Sequence, residues 1–165
     1  MGARVGVEER WSPDGLQELR ALYEPLRRFA AVVGQWDLEP DDLVQDAYAK
    51  VLRRSEAEIQ DLGPYLRTTI VHLVADGRRR DRRASEAQSR LAASDATVDT
   101  YPSDLEDLMR LPERTRALLY LVEIEGQSTA DAAEVVGMSG ANARVVLMRA
   151  RRKLRAEMKL EASGE

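Results

Sequence analysis

The chain has 165 residues, enough for one ordinary domain or two small ones, and its formal net charge is −4. Because it has no cysteine and one histidine, disulfides and a cysteine nucleophile are excluded and a multi-histidine metal site is disfavoured. No apolar run approaches the roughly 20 residues that cross a bilayer, and no secretion signal opens the chain. We therefore expect a cytoplasmic protein that does not insert into a membrane, needs no metal or cofactor, and has no catalytic residues.

Three amphipathic helices are predicted in the first half of the chain, because apolar residues recur there every three or four positions. The first begins at Ser12-Pro13-Asp14 and ends near Gly34. The second begins at Glu39-Pro40-Asp41-Asp42, whose carboxylates suit the positive end of the helix dipole. The third follows Gly63-Pro64 and runs into the basic segment Arg78–Arg83. Their apolar stripes can pack against one another as a small bundle.

A polar segment separates the two halves of the chain. Between Ala84 and Ser103 the helical pattern fades, which predicts a flexible linker with some helix in its first half. The two halves are therefore expected to fold independently. The predicted division is an N-terminal tail at 1–15, a first domain at 16–83, the linker at 84–104, a second domain at 105–156 and a C-terminal tail at 157–165.

Shorter helices with clear end signals are predicted in the second half. Pro112 opens a helix that Gly126 stops. A short helix capped by Ser128 ends at Gly137, and a last helix extends to about Lys159. The predicted fold is therefore all-α.

The segment Ser128–Arg151 has the features of a helix-turn-helix. Such a motif needs a small residue where its helices cross, here Ala132 or Ala133, and a glycine in the turn, here Gly137. Ser139 can cap the second helix, whose basic tail suits DNA phosphates around a major groove. The alternative is an ordinary helical hairpin with a charged outer face, and the residue offsets together with the basic tail favour DNA binding. The exposed face of this second helix is expected to carry Asn142, Arg144, Val145, Met148, Arg149 and Arg151.

The third predicted helix ends in another basic stretch. A face of this kind can grip a DNA backbone and contact bases. A solvated, arginine-rich helix end is an equally good interpretation of this stretch alone. The residues on its outer face, at spacings of three or four, are Thr68, His72, Asp76, Arg79 and Arg83.

The second predicted helix has an acidic polar face formed by Asp42, Gln45, Asp46 and Lys50. An acidic face with no nucleophile nearby suits a protein partner better than DNA. A plain amphipathic helix is the simpler interpretation of this segment by itself.

Together the three segments resemble an RNA polymerase sigma factor of the extracytoplasmic-function (ECF) group of the sigma-70 family, the small class with only regions 2 and 4. The segment DDLVQDAYAKVLRR resembles region 2.2 of this family, and PYLRTTIVHLVADGRRRDRR resembles regions 2.3 and 2.4. Region 4 is resembled by LPERTRALLYLVEIEGQSTADAAEVVGMSGANARVVLMRARRKLR. The resemblance covers roughly residues 16–156, with the motifs in the family's order.

The resemblance implies two small helical domains, a region 2 bundle and a region 4 helix-turn-helix. It implies a non-catalytic protein that binds core RNA polymerase, through the β′ clamp helices and the β flap, and directs promoter-specific transcription initiation. Promoter DNA and an anti-sigma factor are the other partners it implies, with the holoenzyme associated with the nucleoid.

The resemblance also implies site residues. Core polymerase binding falls on Asp42, Leu43, Gln45 and Asp46. Binding of the minus-ten element falls on Thr68, His72, Asp76, Arg79, Arg80 and Arg83. Binding of the minus-thirty-five element falls on Ser139, Asn142, Arg144, Arg149 and Arg151.

The chain departs from the family pattern at Val71-His72, where Arg-Asn is usual, so either the minus-ten base preference differs or the base pocket is weaker. It also has Arg144-Val145-Val146 where Lys-Ser-Arg is frequent, which removes one basic DNA contact. Two rival functions are also compatible with these residues. One is a stand-alone helix-turn-helix regulator, and the other is a degenerate sigma-like protein-interaction module.

Overall fold

The computed structural model describes residues 10–34, 38–89 and 108–161, and within these ranges the chain forms helices and no strand. The predicted all-α fold is confirmed. The α-helices are α1 (Pro13–Val33), α2 (Pro40–Val51), α3 (Leu62–Ser89), α4 (Glu113–Leu119), α5 (Thr129–Val136) and α6 (Gly140–Glu161). A 3-10 turn at Glu56–Glu58 precedes α3, and a π-helical turn at Tyr120–Ile124 continues α4.

The predicted helix ends are confirmed where side chains cap them. The hydroxyls of Ser12, Ser128 and Ser139 accept hydrogen bonds from the backbone N–H three residues later, at 3.0, 3.1 and 3.2 Å. These bonds satisfy donors that the first turn of a helix leaves without an internal partner. Gly137 ends α5 at φ +66°, a left-handed conformation that glycine adopts without steric cost.

Helices α1, α2 and α3 pack as the predicted three-helix bundle. Its most buried side chains include Leu26, Phe29, Val44 and Ile70, all fully inaccessible to solvent. Trp11 also belongs to this core, and its indole N–H donates to the carbonyl of Arg54 at 3.1 Å. Residues 10–15, which the sequence assigned to a tail, are therefore part of the packed structure, and residues 1–9 lie outside the described ranges.

The second helical group packs directly onto the first, which the sequence did not predict. Helix α4 contacts α1, and α5 contacts α3. The rings of Phe29 and Tyr120 meet edge to face across this boundary, with centroids 5.7 Å apart. Helix α3 continues through Ser89, so Ala84–Ser89 of the predicted linker is helical. The remainder of the linker, with the rest of 90–107, lies outside the described residues.

Arg116 is the central polar residue of this boundary and is 1% exposed. Its guanidinium donates to the carbonyls of Val32, Val33 and Gly34 at 2.8, 2.5 and 3.1 Å. These carbonyls lie at the end of α1, where a helix has acceptors without internal partners. Burial lowers the pKa of Arg116 to about 10, so the side chain stays charged at neutral pH. A residue of the second group thereby caps a helix of the first.

Candidate protein-binding and DNA-binding surfaces

The acidic face of α2 is exposed, and the start of this helix is hydrogen-bonded to α1. Asp42, Gln45 and Asp46 are all exposed to solvent. The start of the helix is tied to α1 because the carboxylate of Asp41 accepts from the Tyr23 hydroxyl at 2.5 Å and from the Arg27 Nε at 3.2 Å. These hydrogen bonds, the one from Tyr23 first, lower the pKa of Asp41. Asp42 and Asp46 therefore form an acidic surface that is open to solvent.

Leu43 does not belong to that surface. It is 5% exposed and packs in the core of the bundle. Its assignment to core polymerase binding is therefore corrected. Leu43, Val44, Ala47 and Val51 form the buried stripe of α2, and the polar neighbours of Leu43 therefore face solvent.

The residues of α3 that are predicted to bind DNA do not all face solvent, because the second helical group covers one of them. His72, Asp76, Arg79, Arg80 and Arg83 are exposed. The nearest charged atoms of Asp76 and Arg79 are 3.7 Å apart, an i,i+3 ion pair on an open surface. Thr68 differs, because it is half-buried and its hydroxyl donates to the carbonyl of Val135 on α5 at 3.1 Å.

Helix α6 presents its predicted polar residues to solvent. Its inner side is formed by Ala143, Leu147 and Ala150, which are at most 4% exposed. Arg151 is engaged within the chain, because its guanidinium meets the carboxylate of Glu123 through Nε at 2.7 Å and a terminal nitrogen at 2.5 Å. The remaining predicted DNA-binding residues, Ser139, Asn142, Arg144 and Arg149, are exposed.

Two ion pairs join the helical groups, and no pattern in the sequence predicts either of them. Arg67, 8% exposed, donates to the Glu125 carboxylate at 2.8 and 3.3 Å. Arg78 meets Glu113 at 2.5 Å. Burial raises the pKa of Glu113, but the backbone N–H and Arg78 outweigh it, so the net shift is downward.

The sequence contains a partial signal for this boundary. Arg116 falls within the L-P-x-x-x-R pattern of the second half, although the pattern does not identify its acceptors. Nothing in the sequence marked Arg67, which shares an amphipathic helix with the exposed arginines of α3. Sequence periodicity detects one buried face of a helix, whereas α3 is covered on two.

The described part of the chain contains neither a cluster of metal-ligating side chains nor a membrane-spanning helix. Within it, no three side chains of metal-ligating type cluster together. None of the helices in these ranges is both long and apolar enough to span a bilayer. The geometry instead offers one acidic and two basic surfaces.

Comparisons with known proteins agree with this geometry. The family model for Sigma-70 region 2 matches residues 17–84, and the one for Sigma-70, region 4 matches residues 108–154. The ECF RNA polymerase sigma factor SigM of Mycobacterium tuberculosis is 28% identical over 144 residues, which are 84% of this chain and 74% of SigM.

Two solved structures share the fold. The sigma factor RpoE from Bartonella quintana, in complex with the anti-sigma factor NepR, has a TM-score of 0.73 and 22% identity, covering 88% of this chain and 97% of RpoE. CnrH, in complex with the cytosolic domain of CnrY, has a TM-score of 0.62 and 23% identity, covering 90% of this chain and 88% of CnrH. With both region models matched in order and an ECF relative aligned across most of the chain, the protein belongs to the sigma-70 family, as an ECF sigma factor that directs transcription initiation.

Proposed function

We propose that the chain binds core RNA polymerase through the polar face of α2 and promoter DNA through the basic parts of α3 and α6. The observation that carries the proposal is the separation of charge. Asp42 and Asp46 make α2 acidic, whereas exposed arginines dominate the end of α3 and the outer side of α6. An acidic surface repels DNA phosphates and suits a basic protein, while arginines suit phosphates.

The proposed division follows that of the sequence, with region 2 at 16–83 and region 4 at 105–156. In region 2 we assign Asp42, Gln45 and Asp46 to the β′ clamp helices. His72, Asp76, Arg79, Arg80 and Arg83 are assigned to the minus-ten element. The assignment of Thr68 to the same element stays a prediction from the sequence, because its hydroxyl is bonded to Val135 in this structure. In region 4 we assign Ser139, Asn142, Arg144 and Arg149 to the minus-thirty-five element. We also propose that region 4 contacts the β flap of the polymerase.

The chain's contribution is binding rather than chemistry, which the polymerase performs. Selection of promoter over other DNA requires differential affinity, since phosphate contacts alone carry no sequence information. Base contacts from α6 and the exposed residues of α3 supply that difference. We place this work in the bacterial cytoplasm, with the holoenzyme on the nucleoid.

An anti-sigma factor is proposed as a further partner. It is supported by the two similar solved structures, one a sigma factor in complex with the anti-sigma factor NepR and the other CnrH in complex with a domain of CnrY. A protein that binds the purified chain and displaces it from core polymerase would support this proposal. A protein that binds the chain without displacing it would not be an anti-sigma factor.

The principal experiment adds the purified chain to core polymerase and maps the transcript starts on DNA of its own genome. New start sites that share upstream sequences are expected, and an absence of new start sites would contradict promoter selection.

A paired substitution tests the α2 surface. The double variant Gln45→Ala with Asp46→Arg should fail to associate with core polymerase, since losing a partner of a desolvated charge pair costs about 2–5 kcal/mol. Its matched control is Gln17→Ala with Glu18→Arg, the same chemical change at two exposed positions of α1. Equal association of both double variants would contradict the assignment.

A further inference from the structure

Two large apolar side chains are exposed on the helix that the proposed function places in a DNA groove. Among the described residues, the most exposed large hydrophobic side chains are Ile124, Val145 and Met148, which are 70%, 40% and 60% exposed. Val145 and Met148 both lie on α6. Exposed apolar side chains that cluster on a binding element mark a contact surface more often than those scattered singly.

The position of these two residues on α6 is determined by the buried side of the helix. With 3.6 residues per turn, Val145 lies about 200° and Met148 about 140° around the helix from the fully buried Ala143. Both therefore lie on the side farthest from the core. Arg144 lies about 100° to one side of Ala143 and Arg149 about 120° to the other, so the arginines form the flanks.

This arrangement fits the shape of a major groove. A helix that enters the groove turns its outermost side towards the base edges and its flanks towards the two phosphate backbones. Over residues 141–149 the outermost side carries Ala141, Val145 and Met148, and the flanks carry Arg144 and Arg149. Arg152, about 180° around the helix from Ala143, continues the outermost side one turn beyond Met148. The thymine C5-methyl is the apolar group that a base pair presents in the major groove, and apolar side chains recognise it.

We propose that Val145 and Met148 read thymine methyl groups in the upstream promoter element, an inference that rests on the proposed function of α6. Residues three apart on a helix have Cβ atoms about 5–6 Å apart. Successive base pairs are about 3.4 Å apart. The two side chains therefore reach thymines on adjacent or next-adjacent base pairs, and Arg144 and Arg149 hold the flanking phosphates.

Charge favours DNA over a protein as the partner of this surface. Residues 138–156 contain no Asp or Glu, and Arg144, Arg149, Arg152 and Arg155 are exposed around the apolar pair. A polyanion gains from all of these charges, whereas a protein partner would need an acidic rim around an apolar pocket.

Deoxyuridine provides a test at the level of one methyl group. The wild-type holoenzyme first selects its preferred upstream element from random DNA, and each thymine in that element is then replaced singly by deoxyuridine. Binding should fall about fourfold at each contacted thymine, the effect of exposing one methyl-sized group. At other thymines the two bases should bind equally.

Variants assign each methyl to a side chain. Val145→Ala should abolish the thymine-to-uracil difference at one position and Met148→Ala at a neighbouring one. Ile124→Ala, which removes a comparable exposed apolar side chain outside α6, should keep both differences.

The possible failures are distinguishable. If the holoenzyme selects no sequence at all, the proposed function itself is contradicted. If it selects an element but binds the uracil forms as tightly as the thymine form, the methyl inference alone is overturned. It is also overturned if the holoenzymes formed by the two α6 variants keep both thymine-to-uracil differences, because Val145 and Met148 would then not contact those methyl groups.

Discussion

Replacement of Arg116 by methionine tests whether one buried guanidinium holds the two helical groups together. In addition to its three acceptors at the end of α1, Arg116 donates to the carbonyls of Met109 and Leu111 at 3.2 and 2.5 Å. Methionine fills part of the space and donates nothing. The carbonyls of Val33, Gly34 and Leu111 accept their bonds from Arg116 in a fully buried setting. They would lose those bonds.

The expected magnitude follows from these acceptors. A buried carbonyl left without its donor costs about 1–3 kcal/mol. Part of this is recovered because methionine carries no charge to desolvate on folding. We therefore expect the free energy of unfolding to fall by about 2–4 kcal/mol, a large share of the 5–15 kcal/mol typical of a whole domain.

Urea denaturation of the full chain, followed by far-ultraviolet circular dichroism, measures this loss. With a slope of about 2 kcal/mol per molar urea, the midpoint should fall by roughly 1–2 M. The control is Arg114→Met, which removes the same charge from a half-buried position of the same helix and should shift the midpoint far less. If Arg116→Met behaves like Arg114→Met, the guanidinium does not join the helical groups as described.

Further predictions concern the DNA-binding helix and acid stability. Arg149→Ala should weaken DNA binding evenly across sequences and lower the salt slope by about one, measured by titration at several salt concentrations. Glu123→Gln should release Arg151 and raise that slope by about one, and an unchanged slope would exclude Arg151 from phosphate contact. The lowered pKa of Asp41 predicts stability that is complete above its ordinary value of 3.8 and is lost as the pH falls towards the lowered one. In Asp41→Asn the urea midpoint should therefore fall less steeply as the pH is lowered. An unchanged pH dependence of the midpoint would contradict the role of Asp41.

The sequence alone determined the helices, their caps and the buried stripe of each. These features are local, because periodicity depends on neighbours three or four residues away and a capping serine bonds the backbone three residues on. The same locality predicted the outer face of α6, including the exposed Val145 and Met148. The motif order was enough to indicate the family, since it needs no knowledge of how the helices pack.

Only the tertiary structure decided which surfaces remain open. Thr68 and His72 share one predicted face, yet Thr68 is bonded to α5 and His72 is exposed. Arginine is a residue type that is rarely buried, yet Arg67 and Arg116 are both buried against the other helical group. Their partners in the other helical group lie 58 residues away for Arg67 and 82–84 residues away for Arg116. A contact at that separation depends on where two whole helical groups meet, and no local pattern of apolar and polar residues records it.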